Sequence, residues 1–225
     1  MAEPLKKDVP RAERGEGFSK RQCEVLDAAL DLLVSGDDRL SMSAIARTAN
    51  CSKETLYNWF GDSDGVLAAI VRRQASKVRM PADVGEGLDL ADLRQRLEVF
   101  AIDLLTVLTG DMSVALNRLA IGHAGSAKST LGSIVLENGR FAMGRRLKPL
   151  IEAGQQTGLL SAQDNSETLF RTFFGLVVRD VQIRLLLGDK LPKGRASISA
   201  EAAQATSQFI QLYSISTTNA RIRAI

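Results

Sequence analysis

An all-α fold is what this sequence predicts, on three observations. Apolar residues recur three and four apart, as Cys23, Leu26, Leu30 and Leu33 do near the start and Leu93, Leu97, Phe100, Leu104 and Leu108 do further on. No segment shows sustained period-two alternation. Helix-start signals stand where the periodic runs begin. The clearest is Ser19-Lys20-Arg21-Gln22, a capping box with Phe18 and Cys23 spaced as a hydrophobic staple. With 225 residues, 45% of them hydrophobic, the chain can bury a real core in one large domain or two small ones.

Residues 1–17 are polar, charged and broken by two prolines, so they read as a mobile arm whose Lys6, Lys7, Arg11 and Arg14 are solvated. The first helix starts at Ser19 and ends by Gly36. A short helix is expected from Ser41 to Ala49, a second from Ser52 to about Trp59, and a longer one from Asp62 to about Arg79. "MPADVGEGLDL" (80–90) is rich in turn residues and reads as the connector between two modules. The Leu93–Leu108 helix follows, then one over roughly 111–123. A long helix is expected from about Ser129 toward Ala153, weakened by Gly132, Gly139, Gly144 and Pro149. Asp164-Asn165-Ser166-Glu167 resembles a second capping box and opens a helix carrying Phe170, Phe173, Val177 and Val181 as far as Gly188. The last helix carries Ala202, Ala205, Phe209 and Leu212. The total is about nine helices.

Composition narrows the function classes. No apolar run is long enough to span a bilayer, and the N-terminus has no apolar core of a signal peptide, so a cytoplasmic protein without membrane contact is expected. Cys23 and Cys51 fall at apolar positions and make no disulfide framework. The single histidine, His123, has no ligand-spaced carboxylate or cysteine cluster around it, so neither a metal nor another cofactor is expected. Net charge is +3, yet residues 1–60 hold nine Lys/Arg against ten Asp/Glu. Any case for nucleic acid therefore rests on local placement.

That placement is found in "SMSAIARTANCSKETLYNWF", residues 41–60. A helix-turn-helix needs a small residue where its helices cross, a turn residue tolerant of positive φ, and apolar residues that pin both helices to a third. Ala46 is the small residue, Asn50 the turn residue, and Ile45, Leu56 and Trp59 the apolar pins. Ser52 is a good N-cap whose free backbone N–H groups suit a phosphate. Lys53, Thr55, Tyr57 and Asn58 point away from Leu56 and Trp59, with side chains suited to phosphates and base edges.

These residues resemble the tetracycline-repressor (TetR/AcrR) family of bacterial regulators, through "FSKRQCEVLDAALDLLVSG" and "SMSAIARTANCSKETLYNWFGDSDGVL". The tail "LIEAGQQTGLL…FFGLVVRDVQIRLLLGD" is similar to the AefR-like branch. The resemblance implies a DNA-binding domain over 18–61 and a ligand-binding and dimerisation domain over 62–225. It implies a homodimer through the last two helices, about 164–187 and 199–217, on a palindromic double-stranded operator. The protein would be a repressor released by a small-molecule effector. By position, Ser41 and Ser43 would touch phosphate, and Arg47, Lys53, Thr55, Tyr57 and Asn58 would face the major groove. The family pattern F-x-S-K-E-x-L at the next helix reads Phe60-Gly61-Asp62-Ser63-Asp64-Gly65-Val66 here, so Ser63 stands where a phosphate-binding lysine is usual.

The effector is expected to be apolar or amphipathic, because the C-terminal half offers mostly aliphatic and aromatic side chains. Asn117, Arg118, His123 and Asn138 are its candidate polar contacts. One alternative is a nucleotide-binding enzyme, since "GHAGSAKS" (122–129) matches the P-loop pattern except that Ala127 replaces a glycine. Against it, "VALNRLAI" (114–121) reads as helix where a P-loop needs a β-strand.

Overall fold

The computed structural model describes residues 17–35, 41–80, 87–124, 130–191 and 194–215. Residues 1–16 of the expected arm, Gly36 at the end of the first helix, residues 81–86 of the connector, residues 125–129 and the end of the last helix beyond 215 lie outside them. The described helices are α1 (Lys20–Val34), α2 (Met42–Thr48), α3 (Lys53–Phe60), α4 (Ser63–Ser76), α5 (Leu90–Thr109), α6 (Asp111–Gly122), α7 (Leu131–Val135), α8 (Phe141–Gln156), α9 (Ser166–Val178), α10 (Val181–Leu186) and α11 (Arg195–Tyr213). A π-helical turn, Leu136–Arg140, joins α7 to α8. The only β pairing among the described residues is one bridge between Leu160 and Ser214.

Two expected helices are each broken, which raises the number from nine to eleven. The run from 129 to 153 is interrupted at the π turn, while Pro149, expected to weaken it, lies exposed inside a continuous α8. On that exposed face, the carbonyl that loses its partner can turn to water. The run from 164 to 187 breaks at Arg179, whose φ is +43°. Arg179 reaches α11, to Glu201 at 3.4 Å and Gln208 at 3.1 Å, so a tertiary contact holds a conformation that its sequence does not favour. The second capping box is also displaced: Asn165, not Asp164, caps α9, accepting from the Thr168 N–H at 2.8 Å. The first box forms as expected, with Ser19 and Gln22 bonded reciprocally.

The buried side chains form two main clusters. The first joins α1–α4 and takes in Val25, Leu26, Leu30, Ile45, Leu56 and Ile70, with Leu116 of α6 reaching in. The second fills the bundle of α5, α8, α9 and α11, where Phe100, Phe173, Phe209 and Tyr213 stack in sequence with centroids 5.0–6.2 Å apart. Each such ring contributes about 1.5–3 kcal/mol through burial, and each ring pair about 0.5–1.5 kcal/mol more. Val78 and Leu88, on either side of the 80–90 connector, are both buried in this second cluster. The residues flanking the connector on its two sides therefore share one cluster, where the turn-rich sequence had suggested a boundary between modules.

Helix α4 belongs to both clusters, and three contacts fix it. At its start, Gly65 sits so close to the end of α3 that a Cβ there would run into the Phe60 carbonyl. In its second half, the Arg73 guanidinium forks onto both carboxylate oxygens of Asp27 and also reaches the Cys23 carbonyl at 3.2 Å, tying α4 to α1. This hydrogen-bonded pairing raises the Arg73 pKa further. At its end, Arg146 of α8 donates to the carbonyls of Ala75 and Val78, both at 2.8 Å. Both carbonyls lie at the C-terminal end of the helix, where a cation is favoured, and that of Ala75 also accepts from the Val78 N–H at 3.1 Å.

The Gly65 corner gives a test. Because the obstacle is backbone, Gly65→Ala should lower the unfolding free energy by more than about 2 kcal/mol. Gly132→Ala, whose Cβ meets nothing within 4 Å, should leave stability unchanged or raise it by up to about 1 kcal/mol. Equal denaturation midpoints for the two variants would overturn the close-approach account of this corner.

Candidate nucleic-acid interface and effector cavity

The candidate interface is built from α2, a tight turn and α3. Ser41 caps α2, its hydroxyl accepting from the Ala44 N–H at 3.1 Å. Ile45 and Ala46 are buried against the first cluster, while Ser43 and Arg47 are exposed. Asn50 takes φ +49°, the left-handed conformation expected of it. Arg21 of α1 donates to the carbonyls of Ala49 at 2.7 Å and Asn50 at 3.0 Å, clamping the turn from outside. Sequence reasoning missed this clamp, since Arg21 was read only as the interior of a capping box.

Helix α3 presents one face inward and another to solvent. Leu56 is fully buried and Trp59 half-buried against the first cluster. Lys53, Tyr57 and Asn58 are exposed, Tyr57 by 53%. Ser52 caps the helix, accepting from the Thr55 N–H at 3.0 Å, and its hydroxyl shares a 2.8 Å hydrogen bond with that of Thr55. Thr55 is thus half-buried, with its hydroxyl already engaged and its methyl as the part left to offer. Glu54 is the one acidic side chain in the first turn.

At the start of α4, Ser63 is half-buried beside two carboxylates that are both engaged. Asp62 accepts from the Gly65 N–H at 2.8 Å, and Asp64 accepts from the Thr130 hydroxyl at 2.7 Å. The first carboxylate faces a helix N-terminus, which offsets its charge. The second links α4 to the residue preceding α7.

The four candidate effector contacts do not converge. Asn117 lines an enclosed cavity of about 330 Å³ bounded by α4, α5, α6, α7, the π turn, α8, α9 and α10. Arg118 and His123 line a separate, more open cleft of about 770 Å³ against α10. Arg118 is engaged there, donating to the Leu185 and Leu186 carbonyls at 2.6 and 3.1 Å. Asn138 turns back on its own helix, donating to the Ile134 carbonyl at 3.0 Å, and lines neither space. Helix phase gave the four residues but not which way each helix was rolled.

The enclosed cavity is walled mainly by apolar side chains, among them Val71, Leu104, Met143 and Phe174. Its polar groups include Asn117, Gln182 and Arg140, the last two not anticipated from sequence. Gln182 donates to the Asn117 side-chain oxygen at 3.3 Å, and Asn117 donates to the Ser113 carbonyl at 2.8 Å. Arg140 ends the π turn and stacks on two rings of α9, 4.0 Å from the Phe174 centroid and 4.6 Å from that of Phe170. Burial pushes its guanidinium below the ordinary pKa; Glu167 opposes the shift and Arg171 adds to it.

A nucleotide cradle would need a strand ahead of residues 122–129. Helix α6 occupies that place, so the premise of the enzyme alternative is missing. No single helix among the described residues is long and apolar enough to cross a membrane.

Comparison with known proteins agrees with this architecture. Residues 95–215 match the model of the AefR-like transcriptional repressor C-terminal domain. A TetR transcriptional regulator from Agrobacterium tumefaciens is 47% identical, with 90% of this chain and 99% of that one aligned and a TM-score of 0.75. A TetR-family regulator from Mesorhizobium loti shares the fold at 23% identity and a TM-score of 0.67, over 87% of this chain and 98% of that one. The HTH-type transcriptional regulator AlkX of Mycobacterium tuberculosis is 34% identical over 76 residues, 33% of this chain, and the match spans 35% of that relative's length. With helix-turn-helix, bundle and C-terminal match in agreement, the chain belongs to the TetR family of transcriptional regulators.

Proposed function

We propose that the protein is a dimeric, ligand-responsive repressor that grips a palindromic operator and is released by a small amphipathic effector bound in the 330 Å³ cavity. One observation carries the DNA half: α3 buries Leu56 completely while leaving Lys53, Tyr57 and Asn58 exposed beside a Ser52-capped N-terminus. A helix held by its inner face and polar on its outer one fits a major groove. In this reading Ser41, Ser43, Ser52 and Tyr57 meet phosphates, and Arg47, Lys53, Asn58 and the Thr55 methyl meet base edges. Ser63 serves as a neutral phosphate contact, since Asp62 and Asp64 beside it are occupied within the protein.

The ligand half rests on α4, whose Val71 and Gln74 line the cavity while Val66 and Ile70 pack under the helix-turn-helix. A ligand that favours one tilt of α4 favours one placement of α3, and hence one spacing between the two reading helices of a dimer. The dimer itself is assigned to the 164–187 and 199–217 regions. There Ile183, Leu187, Leu212 and Ile215 are exposed by 54, 81, 63 and 57%. Apolar side chains left open in this way suit a twofold contact in which each surface meets its own copy. The domains follow as a reading unit over 18–61 and a sensing and pairing unit over 62–225, acting in the cytoplasm.

Two experiments test this. The purified protein should retard DNA from its own upstream region, with an affinity that falls steeply as salt rises. Lys53→Ala with Tyr57→Ala should weaken retardation by at least roughly tenfold while leaving the helical circular dichroism intact. Retention of binding by that double variant would remove α3 as the reading helix. Separately, Leu212→Glu should move the protein from dimer to monomer in sedimentation velocity, because it places a charge in a desolvated contact. An unchanged sedimentation coefficient would remove α11 from the interface.

A further inference from the structure

Five arginines among the described residues are half-buried: Arg73, Arg94, Arg96, Arg140 and Arg146. Four have a carboxylate or carbonyl partner, namely Asp27 for Arg73, Glu98 for Arg94, Asp92 for Arg96, and Ala75 and Val78 for Arg146. Among the described residues Arg140 has no hydrogen-bond acceptor: it lies over the faces of Phe170 and Phe174, and Glu167 acts on it only as a nearby charge. Stacking occupies the flat faces of a guanidinium and leaves its in-plane N–H donors free. Those donors still meet solvent and hold no hydrogen-bond acceptor among the described residues, so an anion can take them by displacing water.

Position narrows the class of that anion. Arg140 lines both the enclosed cavity and an outer cleft of about 350 Å³ that it shares with Arg145, Lys148 and Glu167. An anion held at Arg140 stays at the rim, and its apolar body reaches past Phe174 toward Leu104 and Val71. Arg145 and Lys148 are paired with Glu137 and Glu152, each at 3.5 Å, and Glu167 and Arg171 act on the guanidinium in opposite senses, so Arg140 is the charge left to answer. A planar, singly charged group that accepts two parallel N–H bonds meets that requirement. At about 330 Å³ the cavity lies at the small end of ligand sites. Gly144 helps hold the receptor in place: a Cβ there would come within 2.8 Å of the Phe170 ring, so its absence lets one of the two stacking faces pack flat.

We infer that the effector is a small amphipathic monocarboxylate, its carboxylate paired with Arg140 and its apolar body enclosed by α4, α5, α8 and α9. This rests on the reading of the cavity as the effector site. Calorimetry on the full-length protein with decanoate, 1-decanol and decyl phosphate tests it. Decanoate should bind at least roughly tenfold tighter than 1-decanol, as a charge-assisted bidentate pair implies. Arg140→Gln should erase that preference and leave 1-decanol unchanged. Arg140→Lys, which keeps the charge but not the fork, should restore only part of it and covers the case in which Arg140→Gln does not fold.

Equal decanoate affinity in the wild type and Arg140→Gln would overturn the inference. So would tighter binding of decyl phosphate than of decanoate, or no binding of decanoate, octanoate or 4-phenylbutyrate. If operator DNA is still retarded in those cases, only the carboxylate assignment falls. If carboxylates bind through Arg140 but no upstream DNA is retarded, the regulator reading falls instead.

Discussion

The forked pair between Arg73 and Asp27 is the constraint on which the placement of α4 depends. It joins α4 to α1 across their sides, and α1 in turn clamps the reading turn through Arg21. With Gly65 pressed against the end of α3 and Arg146 holding the far end of α4, α4 has little freedom to slide. Tilt is the motion left to it. An ion pair this exposed contributes modestly to stability; its worth lies in fixing direction. The pair ties α1 of the helix-turn-helix unit to α4, the helix that also supplies Val71 and Gln74 to the cavity wall.

The N-terminal region was legible in the sequence because its determinants are local. A serine directly ahead of a helix, an asparagine in a turn that needs positive φ, and apolar residues at i and i+3 each act within a few bonds of where they stand. Fold class and helix order were legible for the same reason. The break at Arg179 was not, because the partners that stabilise it are 22 and 29 residues away on α11. Nor was the π turn, whose last residue finds its support in rings of α9.

The cavity was the least legible feature, for a geometric reason. Its lining comes from eight elements, and a helical pattern states which residues share a face without stating which neighbour that face meets. Asn117 was found because polar residues on an apolar helix stand out; Arg140 and Gln182 were missed because each sits in a segment with too few turns to show a period. Arg118 was the converse case, a conspicuous charge whose work is to cap the end of α10.

The hold on α3 has a consequence for how such a regulator changes over generations. Only Leu56 of that helix is fully buried, with Trp59 and Phe60 lending partial support, and the turn before it is secured by Arg21 from another helix. The exposed positions 53, 57 and 58 therefore carry almost none of the folding free energy. A lineage can rewrite the sequence it recognises by substitutions that the fold scarcely registers, whereas a change to the cavity wall, shared among eight elements, disturbs packing on all of them.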